Sequence, residues 1–173
     1  VELLLAKESV DPNSKDNNGR APLSLAVESM PETVVNLLLA KANIDLDSKD
    51  THGYTPLFWA VAAEGQKAVV NLLLEKGAEL EHKDNTSRTP LHMASSMGRV
   101  DVVKLLLEKG ANLDHKDNTG RTPLHWASKM GRVNVVKLLL EKGVDTAATD
   151  FEGRTPLQLA SESERSEVVE LLN

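Results

Sequence analysis

The tripeptide Thr-Pro-Leu recurs at Thr55-Pro56-Leu57, Thr89-Pro90-Leu91, Thr122-Pro123-Leu124 and Thr155-Pro156-Leu157, with Ala21-Pro22-Leu23 as a weaker first copy. Its prolines, Pro22, Pro56, Pro90, Pro123 and Pro156, are spaced 34, 34, 33 and 33 residues apart. A single globular fold has no reason to repeat itself at such a period, whereas one small unit stacked on copies of itself requires it. The chain reads as a repeat array. Its function is expected on a surface that the stack creates and not in a unique pocket.

Only 3% of the 173 residues are aromatic, so Leu, Val and Ala must fill the interior, which suits thin layers of helices. Cysteine is absent, which removes disulfides, thiolate zinc sites and a cysteine nucleophile. No apolar run approaches the roughly 20 residues of a membrane-spanning helix, and the N-terminus lacks signal-peptide character. A soluble, cytoplasmic chain without membrane insertion is expected, with the nucleus left open. The formal charge of -6 opposes general attraction to phosphate backbones, so nucleic acid is not an expected partner. Val1-Glu2-Leu3-Leu4-Leu5 matches the middle of Val136-Lys137-Leu138-Leu139-Leu140, and Val168-Val169-Glu170-Leu171-Leu172-Asn173 stops before the Gly that closes that stretch elsewhere. A monomeric segment of a longer array is expected.

Within one unit the local chemistry is explicit. Asp117-Asn118-Thr119-Gly120 is turn chemistry, with Gly120 available for a positive φ. Thr122 is placed to cap a helix that begins at Pro123, where the missing amide hydrogen costs nothing, and Leu124, Ala127 and Ser128 form its inner face. Gly131 suits a left-handed stop, and a second helix carries Val135, Val136, Leu138, Leu139 and Leu140 before Gly143. Five apolar residues cover most of that helix's circumference, so all of them, Leu138 included, are expected to be enclosed by neighbouring units.

These residues resemble the ankyrin repeat family, whose pattern runs Asp-x-x-Gly-x-Thr-Pro-Leu-His-x-Ala, a short turn with Gly, then Val-x-x-Leu-Leu-x-x-Gly-Ala. Thr89-Pro90-Leu91-His92-Met93-Ala94 and Thr122-Pro123-Leu124-His125-Trp126-Ala127 carry it most fully. About five repeats plus a partial N-terminal one are expected: a partial repeat over 1–15, then 16–49, 50–83, 84–116, 117–149 and a truncated 150–173. The resemblance implies an all-α solenoid of stacked antiparallel helix pairs with β-hairpin-like tips and a concave groove of tips and first helices. It also implies a protein-binding function. Ser87 replaces the tip Gly, Ala21 the capping Thr, and Met30 and Glu164 the Gly that stops the first helix; Pro31 offers Met30 another way to end it. Extra residues near Ala62-Ala63-Glu64 and Asn43-Ile44-Asp45 fall in loops, where insertions are tolerated.

No catalytic, cofactor or metal site is expected. His92 and His125, like His82 and His115, occupy equivalent places in adjacent units, and helices stack about 8–10 Å apart, whereas zinc needs each nitrogen at about 2.0–2.1 Å. In the family the His after Thr-Pro-Leu is a structural hydrogen-bonding residue; His82 and His115 are expected on solvated surface near the tips. Asp45, Asp47 and Asp50 imitate a calcium loop, but Lys49 and Asp50 stand where a ligand and Gly are required. No phosphate loop, nucleophile elbow or His-Glu-x-x-His helix occurs.

Positions that repeat serve stacking, and positions that differ between copies are free for recognition. The candidates for partner contact are Arg20, Tyr54, Arg88, Arg121 and Arg154 at the tips and Met97, Lys129 and Met130 on the first helices. A column of arginines would grip carboxylates of an acidic protein or peptide; the same arginines could instead be solvated or pair with neighbouring Asp at about 0–1 kcal/mol each. Adaptable Met97 and Met130 gain little from facing water. Trp59 and Trp126 are expected to pack between repeats, with an indole edge able to reach the groove, and Phe58 is expected to pack inward. A non-catalytic interaction module is the reading that follows, with a structural spacer or autoinhibitory array as its alternative.

Overall fold

The computed structural model describes residues 11–64 and 66–173, and the expectation for Val1 to Leu5 lies outside them. The described residues form ten helices: α1 (Pro22–Ser29), α2 (Glu32–Leu39), α3 (Pro56–Ala62), α4 (Lys67–Glu75), α5 (Pro90–Met97), α6 (Val100–Glu108), α7 (Pro123–Lys129), α8 (Val133–Glu141), α9 (Pro156–Glu162) and α10 (Ser166–Leu172). They contain no strand, so the expected hairpin-like tips are turns alone. The architecture is all-α, built of stacked helix pairs.

The odd-numbered helices begin as the repeated tripeptide dictates. Thr55, Thr89, Thr122 and Thr155 are extended N-caps, and each following proline takes the first helical position. Gly98 and Gly131 stop α5 and α7 with left-handed backbone, φ +77° and +66°. In both, the glycine and the next residue donate back into the helix, Arg99 to the Ala94 carbonyl at 3.0 Å and Arg132 to Ala127 at 2.8 Å. Glu164 closes α9 the same way at φ +57° despite its side chain, and Arg165 donates to Ala160 at 2.9 Å. Met30 is different. It is extended, at φ -105° and ψ 156°, because Pro31 follows.

The chain divides into two compact units, residues 1–85 and 86–173. In the first, α1 packs on α2 and α3, and α3 on α4, around Leu23, Val27, Val35, Leu57, Phe58, Val70 and Leu73. In the second, first helices α5, α7 and α9 stack in series, each holds its own second helix, and α8 packs against both α6 and α10. Leu91, Leu106, Leu124, Leu139 and Leu159 form that core. The second helices are less enclosed than expected. In α8, Val135, Val136 and Leu139 are sealed, whereas Leu138 and Leu140 are half-buried and Lys137 and Glu141 exposed. The apolar residues cover one broad face, and Leu138 sits at its margin. No helix among the described residues is long and apolar enough to cross a membrane.

Leu139→Ala is expected to lower stability by about 2–5 kcal/mol and Leu138→Ala by clearly less, in urea unfolding followed by circular dichroism. Glu164→Gly relieves a left-handed backbone that disfavours any side chain and is expected to stabilise by about 1 kcal/mol in the same assay.

Candidate partner-binding surface

Four tips are organised around their leading aspartates. Asp117 Oδ1 accepts the N–H groups of Thr119 at 2.8 Å and Arg121 at 3.1 Å and the Thr119 hydroxyl at 2.6 Å. Asp16, Asp50 and Asp150 accept the same two amides of their own tips. Successive tips are tied by backbone: Asn118 N–H donates to the Thr86 carbonyl at 3.0 Å and Phe151 N–H to Thr119 at 3.0 Å. A Cβ on Gly120 would come within 2.8 Å of the Phe151 amide nitrogen, so the close approach of these tips requires glycine there. Ser87 adopts the corresponding left-handed backbone, φ +62°, with a side chain present.

The tip arginines are engaged within the chain. Arg20 pairs with Asp16 at 3.3 Å and Glu28 at 3.2 Å, and Arg154 with Asp150 at 3.0 Å, Glu152 at 2.7 Å and Glu162 at 3.6 Å. Arg121 reaches into the next tip, its Nε 3.2 Å from Asp150 Oδ2. That residue is 9% exposed, and the Asp150 side chain 1%. Burial alone would raise the Asp150 carboxyl, but the Arg154 amide and the Arg154 and Arg121 guanidinium groups outweigh it and hold the pKa at about 2. Arg121 is thus a buried structural cation. In the slot that interrupts the arginines, Tyr54 stacks on Phe58 with ring centroids 5.3 Å apart and meets Trp59 edge-on at 5.7 Å.

Neither tryptophan is sealed inside. They are half-buried on the first-helix face, and each indole N–H donates to its own tip aspartate, Trp59 to Asp50 Oδ2 at 3.1 Å and Trp126 to Asp117 Oδ2 at 2.8 Å. Arg20 lies 5.7 Å from the Trp59 ring centre. Around Trp126 three cations gather: Arg121 at 5.5 Å, Lys129 at 5.7 Å and Arg88 at 6.0 Å. Phe58 is buried, as its position implied.

The histidines of α5 and α7 are sealed. Thr89 presents its amide N–H at 3.2 Å and its hydroxyl at 2.9 Å to His92 Nδ1, which leaves Nε2 to donate to the Arg121 carbonyl at 3.0 Å. His125 repeats this with Thr122 and the Arg154 carbonyl. One imidazole therefore caps its own helix and holds the next tip. Burial is the main cause that lowers both pKa values, His92 to about 4. Gln158 caps α9 in the same slot, its Oε1 accepting from Thr155 N–H at 2.8 Å. His82 and His115 are not on solvated surface: His82 is buried beside Glu79 at 3.3 Å, and His115 is half-buried edge-on to His92 at 5.9 Å. Among the described residues no three acidic or histidine side chains are grouped to hold a metal.

A family model described as ankyrin repeats (3 copies) matches residues 1–84, 81–150 and 113–173. The chain belongs to the ankyrin repeat family. No curated protein matches it. Ankyrin repeats are generally protein–protein interaction modules.

In this ankyrin chain the sequence candidates separate into groups. Arg88, Arg121 and Lys129 converge on Trp126, and Met130, 40% exposed, follows directly as the C-cap of α7. Met97 instead lines a surface depression of about 270 Å³ with Gly98, Val100, Arg132 and Val133. Arg154 joins the Asp150 cluster, whereas Arg20 and Tyr54 belong to the first unit. One feature escaped sequence reasoning: three cations gather on the Trp126 indole. Phe151, a tip position that varies between copies, is 75% exposed beside Gly120.

Because both histidines are held neutral below their ordinary pKa, the unfolded chain binds protons that the folded one refuses. The stabilisation is complete above about pH 6.5 and is lost as pH falls; for His92 the loss runs down to about pH 4 and amounts to something on the order of 3 kcal/mol, and His125 adds a loss of the same sign. Replacing both with glutamine is expected to flatten that acid limb in unfolding curves across pH. Arg121→Glu would set two carboxylates together in a buried site and is expected to cost about 2 kcal/mol or more, measured by urea unfolding.

Proposed function

We propose that the chain is a non-catalytic binding array whose partner protein or peptide docks on the face formed by tips and first helices, chiefly around Trp126, Lys129 and Met130. The observation that supports this is the Trp126 indole, half-buried and ringed by three cations, with an exposed methionine beside it. Aromatic, cationic and thioether side chains are the types that anchor protein interfaces. Arg88 and Met97 flank this centre, Arg121 holds it in shape, and Arg154, Arg20 and Tyr54 extend the same surface type on other tips. The ten helices are read as five repeats over 16–49, 50–83, 84–116, 117–149 and 150–173, preceded by a partial unit over 1–15. The array acts as a monomer in the cytoplasm or the nucleus and takes no cofactor.

A second reading draws on one specific observation. Arg20, Arg121 and Arg154 are committed to carboxylates of their own chain, which stiffens the tips and suits a spacer or autoinhibitory array.

The two separate in an affinity-capture experiment with the whole chain as bait. Lys129→Ala with Met130→Ala is expected to lose the bound protein while the melting temperature moves by less than about 2 °C. Equal capture by both baits contradicts the docking face.

A further inference from the structure

The first-helix position six residues after the proline differs in charge between repeats. In α1 it is Glu28 and in α9 Glu162, and each accepts the arginine of its own tip, Arg20 at 3.2 Å and Arg154 at 3.6 Å. In α7 it is Lys129. The carboxylate that would meet the tip arginine is absent there, and a cation stands in its place. Arg121 turns away to Asp150 of the next tip, so its charge is balanced, and Asp117 is committed to the Trp126 indole N–H and the tip amides. The Lys129 ammonium forms no ion pair among the described residues and rests 5.7 Å from the Trp126 ring centre.

We propose that this position is a carboxylate receptor: an acidic segment of a partner protein sets an Asp or Glu on Lys129, and a neighbouring apolar side chain lies against Trp126 and Met130. The proposal rests on the docking face described above and names its occupant by charge. The partner supplies in trans the carboxylate that Glu28 and Glu162 supply in cis. Trp126 is suited to the apolar contact because its N–H bond to Asp117 at 2.8 Å fixes the ring, and the indole is half-buried and not sealed. Lys129 is half-buried, so the carboxylate meets a partly desolvated cation, and Met130 adapts to varied apolar neighbours.

The test is selection of a random dodecapeptide display library on the whole chain, followed by calorimetric titration of the selected peptides as synthetic, end-blocked molecules. Enriched peptides are expected to share a carboxylate next to an apolar residue and to weaken as salt rises. Lys129→Glu, which recreates the arrangement of the first and last repeats, is expected to weaken them about tenfold or more, while Lys129→Arg stays within about threefold. Circular dichroism of each variant verifies the fold. Peptides that lack carboxylates, depend on Met130 and ignore Lys129→Glu would overturn the charge assignment and leave the docking face standing. Peptides indifferent to both positions, or no enrichment at all, would overturn both.

Discussion

A pair of helices seven to nine residues long has no interior of its own, and isolated helices of this length are marginal in water. Leu91, Leu124 and Leu159 become buried only because first helices lie against one another in series, and Val135, Val136 and Leu139 only because α8 is flanked by α6 and α10. Every other feature of the second unit presupposes that stacking. Once layers are in register, the tips follow: Asp117 and Asp150 each fold a turn onto a carboxylate, and one backbone hydrogen bond ties each of these turns to the tip before. Stability in such an array is a sum of nearest-neighbour terms, so a weak capping residue is a local loss and does not forbid the fold.

Polar side chains reinforce the same couplings across repeats. His92 and His125 each join their own helix start to the carbonyl of the following tip, and Arg121 crosses to Asp150. Arg132 and Arg165 donate to the Ser96 and Lys129 carbonyls at 2.8 and 3.2 Å, at the ends of the preceding first helices. The histidine slot is not uniform: Phe58 fills it by packing and Gln158 by capping alone. That slot thus carries a hydrogen-bonding side chain in some repeats and an apolar one in another. At a few positions the pattern changes sign or size. Lys129 in the slot held elsewhere by Glu28 and Glu162, and Met130 and Phe151 left open to water, are such places.

Much of this was legible in residues alone because it depends on short range. Thr-Pro sets a helix start within two residues, and glycine at Gly98, Gly120 and Gly131 sets a left-handed turn within one. The departures at Met30, Ser87 and Glu164 were legible as weak points for the same reason. The candidate site was legible only as a set of variable positions. Arg121 looked like its neighbours in sequence, yet it is buried where Arg154 is partly open, because its carboxylate partner stands 29 residues further along. Trp126 looked chiefly like a core residue since aromatic rings usually gain most from burial; it is half-buried, and its indole N–H finds its acceptor in Asp117, which is itself buried.

By itself the sequence determined the period, the helix starts and stops, and the need to stack, because propensity, capping and apolar spacing act over a few residues. The tertiary structure decided which leucine of a second helix is sealed, which arginine is spent on its own chain, and where a lysine ammonium meets an indole. Those outcomes depend on side chains brought together from successive repeats, and a distance between such groups is written nowhere along the chain.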